Sequence, residues 1–563
     1  MKKVIFLLLL LIFNLASVAQ NHTYRSPLDI PLILSANFGE LRPNHFHTGI
    51  DFKTQGVENK PVYSIEDGYV SRISVSPSGY GLAIYVNHVT GQTSACGHVN
   101  KFAPKIAEYV KNKQYEKESY RVDLKLGEGE LPVKKGELIA YSGNTGSSGG
   151  PHVHFEIRET ETDLAIDPLP FYQTAIADGA APQLKGIAVY PIESKGVVNN
   201  SSKPFRENIT AAKTGGYAPI KEPIKAWGKI GVGVYTIDRM TGTHNIYGVK
   251  RVRLFLDNLE IFASDITSVN FDKTRMINSM TDFEFWYNKK IFYQKSFVEP
   301  GNTLDIYKTT NNGYIDVNEE KVYKLRYELE DLYGNQTTYF FDIQGKVQDI
   351  PQPEEYSQLM KHDEDNYFSA DLFSLTIPQG NLYSDLYFSF QRTLSSKYLS
   401  SLYRVHKTAV PLHGYCDMTI KLTKDSLLNK AQYGIVRING DRQYWVGGTY
   451  NNGAVTGRIR ELGSTYAVSY DTKAPVITPV TPAKWVNQQK IVIRLADNLS
   501  GITSYRGTIN GEFVLFAHDV KKPLYIYKFD PKHIKKGQVH KLAFTAKDAC
   551  GNESTYEYEF KAP

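Results

Sequence analysis

Pro151-His152-Val153-His154-Phe155-Glu156 alternates polar and apolar side chains with a period of two. Residues two apart on a β-strand point to the same face, so His152, His154 and Glu156 line one side while Val153 and Phe155 pack behind it. The preceding residues, 142–151 (SGNTGSSGGP), form a flexible turn into that strand. Further out, His47-Thr48-Gly49-Ile50-Asp51 offers a second pair of metal-ligand side chains. Neither stretch closes a site alone. Zinc binds imidazole nitrogen and carboxylate oxygen, and a catalytic site uses three protein ligands with a fourth position left open. His47, Asp51 and one of the His152/His154 pair supply that count, on a mount more rigid than a loop. Six of the fourteen histidines fall between residues 45 and 154, a density that weighs against incidental surface or core positions. The pattern points to metal-assisted hydrolysis.

Four blocks extend the pattern: FGELRP from Phe38, HFHTGIDF from His45, GHVNKF from Gly97, and VKKGELIAYSGNTGSSGGPHVHFEIR over residues 133–158. In this order they resemble the lysostaphin-type (LytM-like) zinc metallopeptidases, the murein endopeptidases, over residues 30–170. The resemblance implies a domain of antiparallel β-sheet with an open groove and one Zn2+. It also implies His47, Asp51 and His154 as zinc ligands, with His98 and His152 as the two catalytic histidines that do not bind metal. All five are present. Cys96 stands where the family often has an aromatic residue, and residues 104–131 form an insertion.

The implied chemistry is amide hydrolysis, with zinc polarising the carbonyl and one histidine moving the proton. His98 or His152 is the base, and the remaining imidazole is free to hold the developing oxyanion. No HExxH helix motif is present, so a glutamate base of that kind is not indicated. Glu156 shares the predicted face and either orients a ligand histidine or forms a structural salt bridge. His45 is expected at the groove rim and His88 at a strand end. Arg42 either meets a substrate carboxylate or pins its loop. The implied substrate is a peptide cross-link of peptidoglycan. D-alanyl-diaminopimelate links are favoured, because no wall-targeting repeat of glycine-bridge lysins is recognisable. The alternative is a non-catalytic cell-wall-binding or hydrolase-activating protein; the intact set of five favours the enzyme.

At 563 residues the chain suggests roughly three to four domains. Residues 1–19 read as a signal peptide: Lys2 and Lys3, an apolar run over 4–15, then small residues before a cleavage point. That run is too short to span a membrane. Periplasm, cell surface or secretion is therefore the expected destination. Three distant cysteines allow at most one bridge. The net charge of +6, two of it in the leader, is too weak over this length to argue nucleic-acid binding.

The fold class is all-β and multidomain. The metallopeptidase domain is expected over residues 26–172, followed by immunoglobulin-like β-sandwich modules over 181–346 and 474–563. A linker over 347–366 and a β-sandwich module of unknown type over 367–471 lie between them. The immunoglobulin-like reading rests on a repeat, DLYGN from Asp331 and DACGN from Asp548, each suited to a hairpin turn between strand-like runs. Ala181-Pro182 and Ala474-Pro475 open the two repeats. A protein partner is a possible use for these modules. Ile106, Tyr109, Val110 and Lys113 predict a short helix over residues 104–119, at the groove edge. His244, His362, His406, His413, His518, His533 and His540 lack partner spacing and are expected in solvent.

Overall fold

The computed structural model describes residues 23–213 and 215–562; the expected signal peptide lies outside the described residues. The chain is β-rich and multidomain.

The first unit is an antiparallel sheet whose main path runs Leu34–Ala36, Ile50–Lys53, His152–Glu159, Gln92–Val99, Leu82–His88, Gly68–Val75, Val122–Lys125. The His152–Glu159 strand is central. Val153, Phe155 and Ile157 are fully buried against Ile50 and Phe52, which sends His152, His154 and Glu156 to the opposite face. Register then does the decisive work, placing His154 opposite Asp51 on one side and Gly97 on the other. A one-residue slip would turn every one of these side chains to the wrong face. Gly49 is required by this packing: a Cβ there would lie 2.3 Å from the Phe155 carbonyl oxygen.

The helix in the insertion spans Pro104–Glu116, with Pro104 in the first turn and Ile106, Val110 and Gln114 buried along one face. It does not border the groove as expected. Its outer side instead docks the last unit: Lys111 pairs with Asp530 at 2.6 Å, and Tyr115 stacks on His533 with ring centroids 5.4 Å apart.

The second unit is a large sheet in which Gln183–Val198, Ile224–Ile237, Gln336–Gly345, Val322–Glu330 and Arg251–Leu256 are successive neighbours. It is fused to the first: Ser268–Val269 pairs with Ala165–Ile166, and Tyr247, Ile266 and Ile277 join the first unit's core. It also braces one rim of the site, where Asn44 Oδ1 accepts from Arg275 Nη1 at 2.9 Å and Asn278 Nδ2 at 3.0 Å.

A third unit is centred on the long strands Leu402–Lys421 and Ala454–Tyr470. Gln358–Met360, inside the stretch expected as linker, is a strand paired with Leu386–Phe388 of this unit. The last unit is two four-stranded sheets sharing one core, with Ile491 and Tyr527 from one sheet meeting Leu542 and Phe544 from the other.

The repeated turn is the same in detail. Asp331 Oδ1 accepts from Tyr333 N at 2.8 Å and Asn335 N at 2.9 Å, while Asp548 Oδ1 accepts from Cys550 N at 2.9 Å and Asn552 N at 2.8 Å. Gly334 and Gly551 both hold positive φ, 83° and 80°. All three cysteines are buried and free.

Two of the histidines expected in solvent are buried. His406 is 4% exposed and stacks on Phe388, while His540 is 1% exposed and packs against Phe560. Each imidazole has an apolar neighbour for its ring and a backbone partner for a nitrogen, at Ser389 N and Lys535 N.

Asp238 supplies a pH-dependent element of stability. Burial, with Asp331 and Asp178 nearby, pushes its carboxyl up to about 8. The fold thus holds a proton that the unfolded chain gives up above roughly pH 4. This contribution is complete below the unfolded value and is lost as pH rises through about 8. Asp238→Asn is expected to raise the free energy of unfolding measured in urea at pH 8, by on the order of 1–3 kcal/mol, and to change it little at pH 4.

Candidate active site

Three atoms converge on the groove floor. His47 Nε2 lies 3.1 Å from Asp51 Oδ1 and 3.0 Å from His154 Nδ1, and the last two are 3.0 Å apart. Ligands about 2.0–2.1 Å from a tetrahedral ion stand roughly 3.3 Å from one another, close to this triangle. The far nitrogens decide the tautomers. His47 Nδ1 donates to the Asn37 carbonyl at 2.7 Å, and His154 Nε2 donates to Glu156 Oε1 at 2.8 Å. With the far nitrogens so held, loss of the inner proton leaves each ring an unprotonated nitrogen aimed at Asp51, as a metal requires. All three residues are buried.

The electrostatics agree. Burial alone would raise Asp51, but the charge of His47 and hydrogen bonds from His154 and His47 hold it well below the usual carboxylate range. Burial likewise disfavours a charged His154, yet hydrogen bonds to Asp51 and Glu156 raise it to about 9. The floor is a place that draws positive charge.

Glu156 is fully buried beneath this floor. Its Oε1 accepts from His154, from Thr48 Oγ1 at 2.6 Å and from the Tyr80 hydroxyl, while Oε2 accepts from Arg158 Nε at 2.6 Å. Burial opposes its ionisation, but the His154 hydrogen bond and the Arg158 charge bring it down to about 2. Glu156 is thus both histidine orienter and ion-pair partner, so the two readings of this residue hold together.

His98 and His152 flank the floor, with ring centroids 4.8 Å apart. His98 Nδ1 donates to the Thr145 carbonyl and His152 Nδ1 to the Gly150 carbonyl, both at 2.8 Å. Both rings keep Nε2 as a lone-pair nitrogen, and that of His152 is 3.6 Å from Asp51 Oδ1. Burial, then His154 and His152, pushes His98 down to about 3; burial also lowers His152. His98 sits at φ 59°, a left-handed conformation uncommon outside glycine and one that concentrates at functional sites. All five sequence-derived residues line one groove of about 450 Å3.

His45 and Arg42 also line that groove. Arg42 Nε is 3.3 Å from Glu40 Oε1 and its Nη2 is 3.9 Å from Asp51 Oδ2. His88 is a buried strand-end residue beside Ser94 Oγ. Tyr80 and Thr48 are the residues that sequence reasoning missed. Tyr80 stacks on His154 with centroids 4.8 Å apart and burial, then the Glu156 charge, pushes its phenol well up. Its turn has no spacing relation to either motif; only the fold brings it to the histidine.

Comparison with known proteins places the site in a class. Residues 121–168 match the model of peptidase family M23, and residues 357–471 match that of a Zu5-like domain. The M23 match includes His152 and His154; register brings His47, Asp51 and His98 to it. An uncharacterized metalloprotease of Haemophilus influenzae is 30% identical over 131 residues, 23% of this chain and 21% of its own length. The DD-carboxypeptidase/endopeptidase Mpg of Neisseria meningitidis serogroup B is 29% identical over 112 residues, 20% of each chain. The catalytic domain of lysostaphin from Staphylococcus simulans is 24% identical, covering 25% of this chain and 92% of its own, with a TM-score of 0.19. The chain spans about one fifth of the curated relatives' length. The groove is that of a metallopeptidase domain. Within the N-terminal unit, residues 121–168 carry the match to peptidase family M23.

Proposed function

We propose that this chain is an exported zinc endopeptidase that hydrolyses peptide cross-links in peptidoglycan, with D-alanyl-diaminopimelate links as its substrate. The observation that carries this reading is the triangle of His47 Nε2, Asp51 Oδ1 and His154 Nδ1, with two further imidazoles presenting Nε2 beside it. The donor set fits zinc, and those three residues would hold it. When bound, zinc supplies a Lewis acid for the scissile carbonyl and the attacking water.

The protein's own groups do the rest. Burial disfavours the charged form of both His152 and His98. A neutral imidazole Nε2 takes the proton of the attacking water and returns it to the leaving amine. While it holds that proton, the imidazole Nε2–H donates a hydrogen bond to the developing oxyanion, until the proton passes to the leaving amine. The Thr145 and Gly150 carbonyls fix the ring orientations so that neither histidine reorients during the step. The relative named as a DD-carboxypeptidase/endopeptidase supports a D-alanyl bond as the target. Among the described residues no helix is long and apolar enough to cross a membrane, and the leader at residues 1–19 directs export.

A panel of defined peptides tests the substrate. A D-alanyl-meso-diaminopimelate cross-linked dimer is expected to be cut and pentaglycine left intact; cleavage of pentaglycine alone would reverse the assignment. Glu156→Gln is expected to weaken zinc binding by roughly 10–100-fold, because the carboxylate that orients His154 loses its charge. Competition against a chromogenic chelator reads that shift.

A further inference from the structure

We propose that Asp519 and Lys521, at the tip of the last unit, are positioning residues for the reaction, holding the loop that orients both non-ligand histidines. The proposal rests on the endopeptidase reading.

The loop in question is residues 144–149. Its Thr145 carbonyl accepts a hydrogen bond from His98 Nδ1 at 2.8 Å, and Ser148 Oγ lies 3.2 Å from His152 Nδ1. Ordering the backbone of this loop is costly. Residues 142–150 include four glycines, which lose more conformational freedom on ordering than any other residue. Within its own unit it is tied at Thr145, whose Oγ1 donates to Val99 O at 2.9 Å and accepts from Leu82 N at 3.0 Å. It is also tied to the neighbouring turn, where Ser147 N donates to Gly79 O at 2.8 Å and Gly79 N donates to Ser147 Oγ at 3.0 Å. At the tip of that turn Ser78 and Gly79 are exposed. Among the described residues of that unit, the backbone on either side of Thr145 has no such side-chain anchor.

The last unit reaches both segments. Lys521 Nζ donates to the Asn144 carbonyl, Asp519 Oδ2 accepts from Gly146 N at 3.3 Å, and Val520 N donates to the Pro77 carbonyl at 3.0 Å. The two side chains thus grip the residues immediately before and after Thr145. Asp519 is pre-set for this, since its Oδ1 accepts from Lys521 N at 2.9 Å and closes the tip turn. Docking of the rest of the unit delivers the tip. Lys111 pairs with Asp530 at 2.6 Å, Glu118 pairs with Arg506 at 2.7 Å, and Tyr115 stacks on His533. Half-exposed ion pairs are individually weak, so the brace depends on the whole set of contacts. The chain separation of 373 residues between Gly146 and Asp519 explains why no local motif announces it. Displacing a catalytic group by about 1 Å costs on the order of 100-fold in rate, which makes a loop of this composition worth bracing.

The test uses the full chain carrying Asp519→Ala and Lys521→Ala together. Neither side chain touches His47, Asp51 or His154, so zinc content is expected to stay at the wild-type level. Hydrolysis of the cross-linked dimer is expected to lose roughly 10–100-fold in kcat with KM within about twofold. Asp519→Asn with Lys521→Arg keeps an acceptor for Gly146 N and a donor for the Asn144 carbonyl, and is expected to restore most of kcat. Hydrogen exchange of the peptide containing residues 144–149, read by mass spectrometry, is expected to quicken in the alanine pair and not in the conservative pair. Unchanged exchange would show that the tip does not brace the loop, whatever the substrate. Faster exchange with unchanged or increased kcat would show a brace that does not position the histidines. Wild-type inactivity toward every cross-link would overturn the endopeptidase reading, while the exchange data still decide whether the brace exists.

Discussion

His154→Ala is expected to remove zinc from the protein and to lower cross-link hydrolysis by at least about 1,000-fold, a loss of several kcal/mol of transition-state stabilisation. His154 is the point where the site's two layers meet. Its Nδ1 completes the triangle with His47 and Asp51, and its Nε2 ties that triangle to Glu156. Without the ring, two groups remain, fewer than a stable three-ligand site needs. The substitution also leaves a buried glutamate short of one donor, although Thr48, Tyr80 and Arg158 still satisfy it. The fold should therefore survive, and a melting curve near that of wild type accompanies the loss of metal. Elemental analysis and dimer hydrolysis, measured on the same sample, check the expectation.

His98→Ala is expected to behave differently. Zinc content stays at the wild-type level, because His98 lies outside the triangle with its ring centroid 6.0 Å from that of His154. The rate falls by about 100- to 10,000-fold, the span for a positioned acid–base group. His152→Ala should fall in the same range. The double variant should be little worse than either single one, because groups that act on one proton transfer are not additive. A His98 variant that lost its zinc would place this residue among the ligands instead.

The short motifs were legible because their chemistry is local. A period of two around residues 151–156 announces a strand with one polar face, and the core positions of Val153 and Phe155 follow from it. What pairs with that strand is a matter of tertiary register. No local pattern says that His154 faces Asp51 across one ladder and Gly97 across the other. Tyr80 was illegible for the same reason: it reaches His154 from a turn between two strands. The spacing of Ile106 and Val110 shows that residues 104–116 are helical. It does not show what covers the helix, since docking against Asp530 and His533 depends on a unit some 400 residues further along the chain. His406 and His540 depart from the expectation of solvent because a solitary histidine looks polar in sequence, while its ring packs readily against phenylalanine once a backbone group meets its nitrogen. The repeated DxxGN turn was readable, since its aspartate caps its own loop in both copies.

The most direct measurement of the central claim is digestion of cross-linked sacculi by the full chain, first stripped of metal by chelation and then reloaded with zinc, with muropeptides resolved by mass spectrometry. The expected result is loss of dimeric muropeptides and gain of monomers in the zinc-reloaded sample alone, with the new ends identifying the D-alanyl-diaminopimelate bond. Persistence of the dimers in the presence of folded, zinc-loaded protein would contradict a peptidoglycan endopeptidase.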